Sequence, residues 1–208
     1  MEDFGGRLAS VWSELRPTTR GLVERALQTP SAPPAPAPAR SPNAGTAPYD
    51  ARADHELSRL LAALDERALE KDASLEVEKE NQLRHIADTC AAVLQEKTRS
   101  AEVFAQLVRR ADKQRDYARI DALADVLAGF APSEICELAR SQDAVVRALS
   151  SEALAQFPTS VLIELLSDPV DSEIARDALR RQAVDYGSEE ARQIVSALAQ
   201  VDATNDDF

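Results

Sequence analysis

Hydrophobic residues recur every three or four positions along most of the chain, the spacing that predicts amphipathic α-helices. Between residues 143 and 169 the pattern divides into two short helices, separated at Pro158 and ended by Pro169. Proline has this effect because it cannot donate a backbone hydrogen bond and clashes with the preceding turn. Residues 49–128 contain neither glycine nor proline, which favours long helices. The chain is therefore predicted to be all-α.

A motif recurs in the C-terminal part of the chain. The sequence LAGFAPS at 127–133 is related to LAQFPTS at 154–160, at an offset of 27 residues. An arginine and an aromatic residue recur with similar spacing, at Arg119, Arg147 and Arg176 and at Phe130, Phe157 and Tyr186. The recurrence predicts three two-helix units, at roughly 116–142, 143–170 and 171–201. Helix N-caps are expected at Asp143, Ser172 and Ser188.

A two-helix unit of this size cannot bury its apolar face alone, so neighbouring units are expected to stack. The core layer of the middle unit is predicted to consist of Val146, Leu149, Leu154, Phe157, Leu162, Leu165 and Leu166. The middle unit resembles a HEAT-like repeat in Asp143, Val146-Arg147, Ala153-Leu154 and the run VLIELLSDP at 161–169. The resemblance is limited to about residues 116–201. It implies an α-solenoid that binds proteins, and it carries over no functional residue.

Residues 1–29 form a separate amphipathic segment. Its apolar face consists of Phe4, Leu8, Val11, Trp12 and Leu15, which are the candidate partner-binding residues. A break is expected at Pro17. The face could dock in a groove of a partner protein or lie on a membrane surface, although the segment lacks the basic excess that anionic lipid favours. The alternative is a helix that folds back on the rest of the chain.

The amphipathic segment is joined to the remainder by a Pro/Ala-rich linker at 30–50. Seven prolines at 30, 33, 34, 36, 38, 42 and 48 predict an extended, disordered spacer. A segment tethered in this way gains affinity for a second contact through its effective concentration. At the other end of the chain, residues 202–208 are predicted to form an acidic, disordered tail.

Residues 51–115 are predicted to be a long helical or coiled-coil region. Its apolar spacing appears in two series, at Leu57, Leu61, Leu64, Ala68 and Leu75 and at Leu83, Ile86, Cys90 and Val93. The two series are out of phase across the polar stretch 76–82. One interpretation is a helix of roughly 45 residues that self-associates through residues 53–99 as a coiled coil with a register skip. The other is two packed helices with a bend near 76–82.

The charge and the cysteines narrow the function classes. The formal net charge is −12, and residues 119–201 contain 7 Arg against 14 Asp and Glu, so nucleic acid is not an expected partner. Cys90 and Cys136 are expected to be buried thiols rather than a disulfide, which fits a reducing cytoplasm. No apolar run reaches the ~18 residues of a membrane helix, and the N-terminus lacks the features of a secretory signal. The 20 Arg against 4 Lys hint at a bacterial genome.

Catalytic and cofactor-binding patterns are not found in the sequence. The two histidines, His55 and His85, have no third ligand at a metal-binding spacing, and the six glycines form no phosphate loop. No cofactor, metal or enzymatic activity is expected. The leading hypothesis is a non-catalytic adaptor or scaffold that binds other proteins. The alternatives are a peripheral membrane protein anchored by residues 1–29 and a HEAT-like ligand-binding protein or lyase.

Overall fold

The computed structural model of the protein describes residues 4–28, 49–70 and 76–205, and side chains as far as residue 200. All regular structure in these residues is helical, which confirms the all-α prediction. The chain divides into two compact units, unit 1 at residues 1–99 and unit 2 at residues 100–208. The predicted linker lies outside the described residues except for Tyr49 and Asp50.

Unit 1 has four helices among its described residues. They are α1 (Gly6–Glu14), α2 (Pro17–Gln28), α3 (Ala51–Leu69) and α4 (Val77–Lys97). The break predicted at Pro17 is confirmed, because this proline is the first residue of α2, where its missing N–H has no cost. The α1 helix packs on α3, α2 packs mainly on α4, and α3 and α4 pack extensively on each other.

The α3–α4 pair settles the alternatives for residues 51–97. Asp54, in the first turn of α3, lies within hydrogen-bonding distance of Thr98, the residue that follows α4. The start of one helix is therefore next to the end of the other, and the pair is an antiparallel hairpin rather than one long helix. Residues 71–75 lie outside the described residues.

Most of the predicted coiled-coil seam is buried inside this hairpin unit. The buried members are Leu57, Leu61, Leu64, Leu83, Ile86 and Cys90. Ala68 is exposed, and Leu75 lies outside the described residues. The described members of the two series lie on α3 and α4, so they need no common register. Self-association through residues 53–99 would therefore have to use other side chains of these helices, or the same ones after a rearrangement.

Among its described residues, unit 2 has seven α-helices. The helices are α5 (Ala101–Gln114), α6 (Tyr117–Val126), α7 (Pro132–Ala139), α8 (Ala144–Ala155), α9 (Thr159–Leu165), α10 (Ser172–Val184) and α11 (Glu189–Asn205), with a short 3-10 helix at Leu127–Gly129. Along the chain, α6–α7, α8–α9 and α10–α11 follow the three predicted units, and each is called a helix pair here. In the described residues, α10 and α11 pack extensively on each other, whereas α7 packs on α8 of the next pair rather than on α6. The α5 helix, which the sequence placed with residues 51–115, packs on α6, α7 and α8.

Aspartates begin the first helix of every pair. Asp116 and Asp143 accept hydrogen bonds from backbone N–H groups in the first turns of α6 and α8, at 2.9–3.1 Å. Asp171 occupies the same position before α10, so the N-cap predicted at Ser172 is wrong by one residue. The cap predicted at Ser188 is confirmed, because its Oγ accepts a hydrogen bond from the first turn of α11.

The tail predicted at 202–208 is shorter than expected. The α11 helix continues to Asn205, so residues 202–205 are helical, and residues 206–208 lie outside the described part of the chain. The physical reason is that no glycine or proline follows Gly187, so nothing in the sequence ends the helix after residue 201.

The core layer predicted for the middle unit is only partly buried. Val146, Leu154 and Leu162 are buried, whereas the other four predicted members, Leu149, Phe157, Leu165 and Leu166, are half-buried. The α9 helix has only seven residues, of which Leu165 is the last, and Leu162 is its buried residue.

Both cysteines are free and buried, as predicted. Burial, reinforced by the negative charge of Asp171, raises the pKa of the Cys136 thiol to about 11. A thiol with this pKa remains protonated near neutral pH and is a poor nucleophile. Cys136 is therefore a small apolar side chain of the core.

Candidate interaction surfaces

The five candidate partner-binding residues lie in or beside α1, and unit 1 uses most of them itself. Phe4, Leu8 and Leu15 are buried, while Val11 and Trp12 are half-buried. The α1 helix packs on α3, which is the fold-back arrangement. Of the five candidate residues, only Val11 and Trp12 are partly accessible to a partner protein or a membrane in this arrangement.

The corner between α1 and α2 is fastened to α3 by one carboxylate. Glu56 Oε1 accepts a hydrogen bond from Arg16 Nε at 2.8 Å. Its Oε2 accepts one from the Arg16 backbone N at 3.2 Å and one from Thr19 Oγ1 at 2.5 Å. Thr19 is fully buried and Glu56 is largely so. Three donors on one carboxylate fix both the position and the direction of α2.

Residues 4–28, here called the arm, and the α3–α4 hairpin have complementary charges. Besides the Glu56 cluster, three ion pairs join them, Arg7–Glu66 at 2.7 Å, Arg16–Asp50 at 2.9 Å and Glu14–Arg59 at 3.0 Å. Arg67 Nε of the hairpin also donates to the Phe4 carbonyl oxygen at 3.0 Å. In two of the pairs the arm provides the arginine and the other residue is a carboxylate. In the third pair the arm provides the carboxylate, Glu14, and α3 provides Arg59. Each exposed pair is weak, but together they specify one orientation.

Two carboxyl groups on α3 have pKa shifts of opposite sign. Burial alone would raise the pKa of Glu56, but the hydrogen bonds from Thr19 and Arg16 outweigh it and hold the pKa below the ordinary value of 4.5. Burial raises the pKa of Asp54 above 3.8 in spite of hydrogen bonds with Thr98 and Tyr49. Asp54 Oδ2 is buried without a hydrogen-bond partner among the described residues. The sequence pattern predicted neither group.

Glu56→Gln is expected to destabilise unit 1 at neutral pH and to matter little in acid. A carboxyl whose pKa is lowered by folding contributes stability above its unfolded pKa, near 4.5, and loses it as the pH falls through the folded value. The difference between the two chains should be about 1.5–3 kcal/mol at pH 7, the scale of hydrogen bonds to a charged group. Urea unfolding followed through Trp12 fluorescence measures it, since the chain has one Trp. An equal difference at about pH 3 would contradict the assignment.

In unit 2, large apolar side chains are exposed where α10 ends. Val184 is 80% exposed and Tyr186 is 51% exposed. The Tyr186 hydroxyl donates a hydrogen bond to the Glu152 carboxylate on α8, and Arg181 lies 3.5 Å from the same carboxylate. This hydrogen bond lowers the pKa of Glu152 and raises that of Tyr186. Glu152, Arg181, Val184 and Tyr186 are here called the Tyr186 surface.

A buried glutamine joins the two helices beside the Tyr186 surface. Gln182 Nε2 donates to the carbonyl oxygens of Ala155 at 3.1 Å and Phe157 at 2.6 Å, and its Oε1 accepts from Thr159 Oγ1 at 3.3 Å. These carbonyls lie at the end of α8, where a helix has no internal donors for them. Gln182 therefore joins α10 to the end of α8, the two helices beside the Tyr186 surface.

Other kinds of site find little support in the described residues. No group of three or more His, Cys, Asp or Glu side chains there is arranged to hold a metal ion. A cavity of about 210 Å³ lies between the start of α1 and the end of α3, lined among others by Arg7, Glu66 and Arg67. Its cations already pair with carboxylates. In the part of the chain that the structure describes, no helix is both long and apolar enough to cross a membrane.

Comparison with known proteins adds no relationship. No protein-family model, curated protein or solved structure matches the chain.

Proposed function

We propose that the protein is a non-catalytic adaptor, in which residues 116–201 form a HEAT-like array that binds another protein through the Tyr186 surface. The observation that carries this proposal is the exposure of Val184 and Tyr186, with Tyr186 held in place by a hydrogen bond. Tyr and Arg are the residue types most enriched where protein interfaces concentrate their binding energy.

Preorganisation supports the choice of this surface. Glu152 holds the ring of Tyr186, and Gln182 fixes α10 to α8. Ordering a side chain on binding costs about 0.5–1.5 kcal/mol, and a side chain that is already held avoids much of this. Val184 adds apolar area beside it that gains free energy when a partner excludes water.

The HEAT-like interpretation rests on the regular spacing of the helix starts and on the packing between neighbouring pairs. Their first helices start at Asp116, Asp143 and Asp171, spaced by 27 and 28 residues. The first helices of the second and third pairs pack on each other, as stacked units of an α-solenoid do. Such arrays present continuous surfaces for protein binding, which agrees with a face formed by α8 and α10 together.

Tyr186→Ala is expected to reduce retention of the partner roughly tenfold or more, because truncating an interface hot spot costs about 2 kcal/mol and 1.4 kcal/mol is a tenfold change. The measurement is quantitative affinity capture from a lysate of the source organism with the tagged full chain. The affinity of the purified partner for each variant is then measured by calorimetry.

Tyr117→Ala is the matched control. Tyr117 belongs to the same unit, is 66% exposed and lies at the start of α6. The control should retain the partner fully. If neither variant changes the retained proteins, the Tyr186 surface is not the binding site. If the wild-type chain retains nothing specifically, the adaptor proposal fails.

The alternative functions have less support. A membrane anchor would need the apolar face of α1, of which Phe4, Leu8 and Leu15 are buried within unit 1. A lyase or ligand-binding protein would need a cleft with convergent polar groups, and the cavity beside α1 has its charges paired. A cytoplasmic location fits the two free thiols.

A further inference from the structure

The arm has no core of its own. Its two helices make little contact with each other, and each packs on the hairpin instead. Its fully buried apolar side chains, Phe4, Leu8, Leu15 and Val23, are covered by the hairpin helices on which α1 and α2 pack. An amphipathic segment that buries its apolar face only on another element behaves as a ligand of that element.

The contact has the features of a specific binding interface. It combines an apolar centre with three ion pairs, the Glu56 cluster and a backbone hydrogen bond from Arg67. Charge complementarity of this kind selects partners and fixes their orientation more than it adds affinity. The hairpin therefore recognises one particular amphipathic sequence, and the arm is that sequence.

The covalent connection between arm and hairpin is longer than the contact requires. Arg16 lies against Asp50, so α2 begins where α3 begins. The 12 residues of α2 place its end roughly 18 Å away along the hairpin. Residues 29–48 join Gln28 to Tyr49, and a chain of this length can extend up to about 70 Å. The hairpin thus holds the arm through noncovalent contacts that do not depend on a short connection.

We propose that the hairpin also accepts the arm of a second copy of this chain, so that two chains assemble by exchanging residues 4–28. The surface is complementary to an exchanged arm without further change, because the exchanged arm is identical to the chain's own. Exchange of an identical element is a low-cost route to a dimer. The linker determines whether the hairpin binds the arm of its own chain or that of a second copy. It holds the chain's own arm at an effective concentration on the order of mM.

Shortening the linker is the direct test. Deleting residues 30–47 from the full chain leaves Thr29 and Pro48 between the arm and the hairpin. This connection can span about 11 Å, whereas the end of α2 lies roughly 18 Å from the start of α3. The expected product is a dimer in light scattering, with the Trp12 emission of the wild-type chain. A matched control replaces residues 30–47 by a Gly/Ser segment of equal length. It should behave as the wild-type chain, which is mainly monomeric well below mM concentration and dimerises as its concentration approaches the mM range.

Two results would overturn the proposal. A shortened chain that is monomeric, whether its Trp12 emission is native or that of a solvated indole, shows that the hairpin does not take a second copy's arm. A dimer that persists when Leu8→Asp is added to the shortened chain is not formed by the arm. Leu8 is the fully buried residue of α1, so this substitution should abolish the exchange.

A second measurement covers the case in which the shortened chain fails to fold. A protease site is placed within residues 30–47 of the full chain, and the folded protein is cleaved. A labelled peptide of residues 1–28 should then replace the cleaved arm, whereas the same peptide with Leu8→Asp should not. Failure of the wild-type peptide to exchange contradicts the proposal. Neither test depends on the Tyr186 surface, so the adaptor function stands or falls separately.

Discussion

Replacing Phe104 by alanine is expected to lower the free energy of unfolding of unit 2 by about 3–5 kcal/mol, the range for a buried aromatic side chain. Phe104 lies on α5 and is fully buried. Its ring meets that of Phe130 edge-to-face, with the ring centroids 5.4 Å apart and the planes at 70°. Such a pair adds about 0.5–1.5 kcal/mol beyond the burial of area. Because α5 packs on α6, α7 and α8, the cavity would affect two of the helix pairs.

Differential scanning calorimetry of the wild-type and variant chains measures this effect. Phe104→Leu is the control, because it keeps most of the apolar volume and loses mainly the ring contact with Phe130. Its cost should be clearly smaller than that of the alanine. If both substitutions lower the stability equally, the ring contact rather than the filled volume dominates. If neither lowers it, α5 does not hold the first two helix pairs together.

The position of Phe104 shows what periodicity can predict and what it cannot. Apolar residues spaced three and four apart marked α5 as a helix with one apolar face. The spacing does not indicate which element that face will meet, and the sequence predicts α5 as part of the helical region 51–115. The aromatic recurrence places Phe130 in the first of the three predicted units. Only the tertiary structure joins the two rings.

The sequence contains a second signal of the repeat besides the motif LAGFAPS, namely an aspartate before the first helix of each pair. Asp116, Asp143 and Asp171 are visible in the sequence at nearly equal spacing, and an aspartate before an apolar helical run is an N-cap signal. Ser172 competed for the third cap because serine is an equally good capping residue. In the structure Asp171 instead pairs with Arg140 at 2.6 Å, at the end of the first helix pair. The capping preferences of Asp and Ser do not distinguish Asp171 from Ser172, and the ion pair of Asp171 with a residue 31 positions away is a tertiary contact that they do not include.

Unit 1 was harder to predict for the same reason. Arg16 and Glu56 are forty residues apart, across a linker whose length conceals that they meet. In the hairpin, the chain reverses between Leu69 and Val77 without a glycine or proline, so the usual signals of a helix end are missing. The polar stretch 76–82 was the available clue. It marked the turn approximately, although those residues belong mostly to the first turns of α4.

A comparison of two leucines on α9 tests the packing of the helix pairs. Leu162→Ala is expected to lower the free energy of unfolding of unit 2 by about 2–5 kcal/mol, and Leu165→Ala by about 1 kcal/mol, because the first side chain is buried and the second half-exposed. Leu162 is the fully buried residue of α9, which packs on α10 and α7. Removing its side chain therefore takes away most of what holds this helix.

The two substitutions form a matched pair, since they delete the same atoms from one seven-residue helix. Calorimetry of both variants with the wild-type chain gives the two differences under identical conditions. Equal losses would mean that Leu165 is as well packed as Leu162, which the geometry of α9 contradicts. A small loss for Leu162→Ala would mean that α9 contributes little to the array. In that case the continuity from α7 to α10 would depend on the α7–α8 and α8–α10 contacts and on the pairing of Arg140 with Asp171.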